Sequence, residues 1–240
     1  MSDLSAARLL DVCERGAGAA PHTRALLLLA AAHPSLPHDD LASWSLGRRD
    51  AALLDLRARL FGEAVQSVAA CPRCATPLEL SFRTADVRTP LAPEELPPLV
   101  ATLDGHAFLV RLRPVSTAAL LAAGGQRETL LLHCVAAATR DGEPLAPADI
   151  PPEVLDRCAA ALAEADPQAD IRLALSCEAC GERWEAPFDP ASFLWREVEI
   201  WAERALREVH MLASAYGWTE GEILALSAAR RRRYLELVTG

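Results

Sequence analysis

Four of the seven cysteines in this chain stand in two C-x-x-C pairs, Cys71-Pro72-Arg73-Cys74 and Cys177-Glu178-Ala179-Cys180. A C-x-x-C turn sets two sulfurs on one side of a tight knuckle. Two knuckles packed face to face complete the four-sulfur tetrahedron that zinc prefers. Both pairs carry the same flanks: an apolar strand-like run in, a small residue after the second cysteine (Ala75, Gly181), and an apolar run out. The expected ligand set is therefore Cys71, Cys74, Cys177 and Cys180 around one zinc. With all four positions taken by thiolate, no place is left for a substrate or an activated water, so the expected zinc is structural. Two other readings stand beside this one: a redox or iron–sulfur site, and two chance pairs of buried cysteines. A redox pair needs a βαβ setting with its first cysteine at a helix N-terminus, and neither pair opens a helix. The charged Arg73 and Glu178 inside the knuckles argue for exposed tips. Cys13, Cys134 and Cys158 lie among apolar helical residues and read as small core side chains.

Other candidate chemistry is thin. His106, His133 and His210 are far apart in sequence and read as surface or packing residues. Gly16-Ala17-Gly18 lacks the preceding strand of a nucleotide fingerprint. There is no H-E-x-x-H, nucleophile elbow or phosphate loop. A non-enzymatic protein is expected. The acidic pairs Asp39-Asp40 and Glu94-Glu95 read as solvated loop or capping residues. The dense basic run is Arg230, Arg231, Arg232 and Arg233, which suits the C-terminal end of a helix dipole as a solvated face, a phosphate-binding patch or a protein-docking face.

The elements that must position the knuckles follow from periodicity. Residues 4–62 read as short helices: an apolar stretch at Leu9, Leu10 and Val12, a helix from Pro21 through Ala32, and a third from near Arg48 to Gly62. Around the first knuckle, Leu78, Leu80 and Phe82 alternate with Glu79 and Ser81, as in a strand. Around the second, Ile171, Leu173 and Leu175 alternate in, and Trp184 and Ala186 alternate out. Residues 84–105 are proline-rich and read as linker. Residues 107–113 read as a strand, Ser116 caps a short helix ending at Gly124-Gly125, and 127–139 and 152–165 read as two helices. The tail begins with Asp189-Pro190 and runs to Gly217 with apolar residues at steps of three and four. Thr219 and Glu222 form a capping box, and Ser227 caps a last helix. The expected class is α+β, mainly helical, with a split zinc-ribbon-like β module in the middle. Its expected divisions are an N-terminal helical region (1–62), the split module (63–189) with an α/β insertion at about 84–170, and a C-terminal helical region (190–240).

Composition narrows the partners. The net charge is −9 and the pI near 5.2, so phosphate backbones are repelled at long range. Basic residues total 24, and every one is arginine. The apolar run ALLLLAAA (25–32) is too short to span a bilayer. The acidic residues before it are unlike a signal peptide, so a soluble cytoplasmic protein is expected.

The tail from Glu208 to Val238 resembles the end of a family of baseplate proteins from T-even contractile-tail phages and phage-tail-like contractile injection systems. The matching positions are Glu208, His210, Leu212, Tyr216, Trp218, Glu222, Ile223, Leu226, Arg230, Tyr234 and Leu235. The stretch from Cys177 to Trp195 resembles zinc-containing members from GC-rich bacteria, and Leu46–Gly62 fits the same pattern. The resemblance implies a structural or assembly component of a baseplate or its hub. It implies other baseplate, hub or spike proteins as partners, and a place in the bacterial cytoplasm or in a particle assembled there. The aromatic and arginine residues Trp218, Tyr234 and Arg230–Arg233 are the expected docking face. The competing expectation is a zinc-ribbon adaptor for nucleic acid or the transcription machinery. The acidic charge disfavours it, as does the scarcity of basic residues at the knuckles, where only Arg73 and Arg183 lie nearby.

Overall fold

A computed structural model of the chain describes residues 4–239. The fold is α+β and mainly helical. It divides into two units, Met1–Leu36 with Ala191–Gly240, and Pro37–Pro190. The helical stretch 1–62 is thus shared between units: its first two helices go with the tail, and the next two with the cysteine module.

In the first unit, α1 (Ala6–Gly16) is capped by Ser5, whose hydroxyl accepts from the Arg8 N–H. α2 (Pro21–Ala32) starts with proline at its first turn, where the missing N–H costs nothing. Gly16 ends α1 against the Trp195 ring, and a Cβ there would sit 2.1 Å from the indole. The long helix α8 (Pro190–Tyr216) follows the expected stripe. Its Ala202, Ala205, Val209 and Leu212 form a core with Leu10, Ile223 and Leu224. α9 (Glu220–Ala225) carries the expected capping box, with Thr219 and Glu222 bonded reciprocally. Ser227 accepts from the Arg230 N–H at the start of α10 (Ala228–Thr239).

In the second unit come α3 (His38–Ser43) and α4 (Leu46–Phe61), the latter capped by Ser45. A first hairpin, β1 (Ala64–Ala70) with β2 (Pro77–Arg83), then a second, β7 (Arg172–Ser176) with β8 (Arg183–Pro187), bracket the insertion. Between them lies a four-stranded antiparallel meander: β3 (Leu99–Leu103), β4 (His106–Leu112), β5 (Val135–Arg140) and β6 (Glu143–Leu145). Between β4 and β5 are α5 (Thr117–Ala123) and α6 (Arg127–Cys134). One face of the meander buries Ala101, Phe108, Val110 and Leu112 with Val154, Leu155, Cys158 and Leu162 of α7 (Pro152–Ala165). The insertion therefore has its own hydrophobic core.

Two expectations are corrected here. Residues 84–105 are not all linker, since 99–103 pair with β4 as a strand. The helix expected over 127–139 stops at Cys134, and Val135–Arg140 is a strand. Ala136, Ala137 and Ala138 favour helix locally, but pairing with β4 and burial of Val135 and Ala138 override that preference.

Candidate metal centre

The two hairpins repeat one another. Ala70 pairs with Pro77 and Ser176 with Arg183. Each pair closes a loop, 71–76 and 177–182, that opens on a cysteine. In the first, the Cys71 N–H donates to the Thr76 carbonyl at 3.0 Å, and the Ala75 N–H to the Cys71 carbonyl at 2.9 Å. In the second, the Cys177 N–H donates to the Glu182 carbonyl and the Gly181 N–H to the Cys177 carbonyl, both at 2.8 Å. The residue after each second cysteine takes the left-handed conformation, Ala75 at φ 59° and Gly181 at φ 73°. Burial repeats too: Cys71 and Cys177 are buried, while Cys74 is exposed and Cys180 half-exposed.

The hairpins face each other. Strand alternation turns Phe82 and Leu173 toward a shared cluster with Leu54, Val87, Ile171 and Phe188. Phe82 and Phe188 meet edge to face, with centroids 5.4 Å apart. Above this cluster the four ligand sulfurs all lie within 4.8 Å of one another. The Cys71 and Cys180 sulfurs are 3.7 Å apart, and those of Cys74 and Cys177 3.6 Å. Sulfurs held about 2.3 Å from a central zinc occupy a tetrahedron with edges of about 3.8 Å. A disulfide needs about 2.05 Å, so these are free thiols at metal-ligand spacing. Cys71, Cys74, Cys177 and Cys180 form a cluster that can hold a metal ion.

The four thiols do not share charge equally. The Cys74 thiol is lowered to about 6, chiefly by its bond to the Thr76 hydroxyl and then by the Thr76 backbone. Cys180 is pushed up to about 12. The Glu182 backbone bond opposes that shift, but burial and the three neighbouring sulfurs outweigh it. Four thiolates at this spacing repel one another, so one takes the charge and another keeps its proton until a cation compensates them. Around the rim, Arg73 reaches Glu182 at 3.7 Å, a surface pair across the two knuckles. Cys13, Cys134 and Cys158 stay outside the cluster, and burial raises the pKa of each.

The C-terminal residues fare differently. Trp218 stacks on Tyr216 with centroids 4.7 Å apart and meets Tyr234 edge to face at 4.9 Å. Both tyrosines of the chain are in this cluster. Trp218, Arg230 and Tyr234 line a cleft of about 250 Å³ with Glu222 and Leu226. Arg230, Arg232 and Arg233 are exposed. Arg231 is not on the outer face. It is 5% exposed, its Nε donates to Glu208 at 2.9 Å, and its Nη1 donates to the Leu226 carbonyl at 2.7 Å. Helical geometry explains the difference, because four consecutive residues spread over the whole circumference and one of them must face inward. The sequence showed the run but gave no sign that Glu208 waits beneath it.

Sequence reasoning also missed buried polar groups on α4 and packed against its first turn. Asp50 is 3% exposed and accepts from the Arg49 Nε at 2.7 Å. Asp166, 5% exposed, accepts from the Gly47 N–H at 2.9 Å. Gln168 is fully buried, and its side-chain oxygen accepts from the Thr89 N–H at 2.6 Å. Charged residues inside an apolar-looking helix were the available signal.

Comparison with protein-family models, with curated proteins and with solved structures returned no match. No described helix is long and apolar enough to cross a membrane.

Proposed function

We propose that the protein is a non-catalytic structural or assembly component of a contractile, phage-tail-like baseplate, stabilised by one structural zinc. The observation that carries the zinc is the cluster of four sulfurs within 4.8 Å of one another, two pairs of them 3.6–3.7 Å apart, from two knuckles with the same backbone hydrogen bonds. A thiolate-only shell with exposed tips suits zinc, and a closed shell suits structure rather than catalysis. Bound there, zinc supplies a cross-link between two hairpins that are distant in sequence. Support for the baseplate role comes from the tail resemblance. The residues that carry it are the ones that hold one folded element together. Glu208 pairs with Arg231, Glu222 closes the α9 cap, and Leu212 and Ile223 lie in the core. Tyr216, Trp218 and Tyr234 form the aromatic cluster beside Arg230. Aromatic rings beside arginine are the composition of interface hot spots.

The test is recovery of the tagged full-length protein from cells assembling contractile particles. Tail-tube, baseplate or spike proteins should co-purify, and deleting the gene should leave tails unassembled. Salt-sensitive retention of nucleic acid with no tail protein would contradict the reading.

A further inference from the structure

The second unit carries a cleft of about 730 Å³ that the zinc and the C-terminal face do not use. Its volume is that of pockets that hold drug-sized ligands or short peptides. Four stretches build it, joined by His133 of α6. The end of α3 and the start of α4 supply Trp44 and Arg48, the loop after β4 supplies Arg113 and Pro114, and α5 supplies a floor of Ala118 and Ala122. The irregular segment 91–94 forms the remaining wall.

Backbone bonds fix the frame. The Leu46 N–H donates to the Val115 carbonyl, and the Arg113 N–H to the Cys134 carbonyl, both at 2.8 Å. Ser45 and Ser116 form an antiparallel bridge. The backbone that carries Arg48 and Arg113 is therefore fixed before any ligand arrives, which lowers the ordering cost of binding.

The chemistry is cationic and apolar. The Arg48 guanidinium carbon lies over the Trp44 ring, 4.3 Å from its centroid, a cation–π contact that holds this side chain at the cleft. In an acidic chain, where many arginines are paired with carboxylates, neither Arg48 nor Arg113 has a carboxylate partner among the described residues. The exposed His133 lies at the same cleft, and Glu94 is its acidic lining residue. A phosphate group would seek backbone N–H donors at the α4 terminus, but these are taken. Leu46 donates to Val115, Gly47 to Asp166 and Arg48 to Ser45. Anion recognition is left to two planar guanidiniums that share the cleft with the exposed alanines Ala118 and Ala122. Planar forks match carboxylates, and small apolar side chains match the floor.

We propose that this cleft binds an extended acidic segment of a partner protein, with carboxylates on Arg48 and Arg113 and an apolar side chain between them over Ala118 and Ala122. The site is independent of the baseplate reading.

The test uses the full-length, metal-loaded protein and a fluorescein-labelled eight-residue peptide alternating Glu and Leu. Saturable binding that weakens with salt is expected, with the Lys–Leu counterpart not binding. The double variant Arg48→Gln/Arg113→Gln should weaken binding at least tenfold, and Ala118→Trp should fill the floor with a similar loss. All three positions are exposed or at the cleft surface, so an unchanged circular dichroism spectrum is expected. Arg196→Gln, in the other unit, should bind like the parent. Absence of saturable binding overturns the proposal, as does equal binding by the folded double variant. Complete displacement by millimolar inorganic phosphate also overturns it, by showing a site for small anions only.

Discussion

At the residue scale, the two knuckles are the same turn with one difference. The position after the second cysteine needs a left-handed backbone in both. Gly181 adopts it freely, whereas Ala75 brings its Cβ against the following carbonyl, at a cost of about 1–2 kcal/mol. Replacing Ala75→Gly should raise stability by up to about 1 kcal/mol, since glycine's extra freedom in the unfolded chain offsets part of the relief. Gly181→Ala should lower it by a similar amount. Equilibrium denaturation of the zinc-loaded protein measures both, and a destabilised Ala75→Gly would contradict the shared geometry. Asp50 gives a second residue-level test. Burial raises its pKa to about 6 against the pull of Arg49, with Asp189 and Asp166 adding to the rise. The folded state then holds this proton more tightly than the unfolded state, so ionising Asp50 costs stability as pH rises through 6. Asp50→Asn has no proton to lose. Its stability relative to the parent should increase by about 1 kcal/mol between pH 5 and 7.5. A difference that stays constant over that range would show Asp50 to be ordinary.

At the element scale, the arginine run separates into one internal and three external residues. Arg231 is tied to Glu208 and to the Leu226 carbonyl, so it fastens α10 to α8. Arg231→Gln leaves a partly buried carboxylate and a carbonyl without their donor and should cost about 2–4 kcal/mol. Arg232→Gln, on the exposed side, should change stability by less than about 0.5 kcal/mol. Thermal melts of the two variants compare these directly, and equal melting temperatures would remove the internal role of Arg231. The same helix shows what was legible in the sequence. Caps at Ser116, Thr219 and Ser227, the proline starts of α2 and α8, and the stripe of α8 are local signals, and each appears in the structure. The strand at Val135–Arg140 and the partner of Arg231 depend on residues distant in sequence. Alanine's helix preference and a bare arginine run say nothing of such partners. The four-cysteine cluster was legible because a C-x-x-C turn is local, and because two copies with matching flanks imply each other.

At the scale of the whole molecule, the second unit is a ribbon opened by an insertion that has its own core. The four-cysteine cluster, the apolar cluster shared by the two hairpins and the surface pair Arg73–Glu182 join the halves of that ribbon. A cross-link there closes a loop of roughly 100 residues, worth on the order of 4–5 kcal/mol by chain entropy, to which the metal–thiolate bonds add. Cys177→Ser should therefore lower the melting temperature sharply and expose apolar surface to a dye such as ANS. A strong chelator should do the same to the parent, because the thiolates it frees repel one another.

The central claim rests on the metal, and elemental analysis of the purified full-length protein tests it most directly when paired with a thiol titration of the native state. The account predicts close to one zinc per chain, with Cys71, Cys74, Cys177 and Cys180 unreactive to a thiol reagent until zinc is removed. A folded, metal-free protein with those four thiols reactive from the start would contradict it.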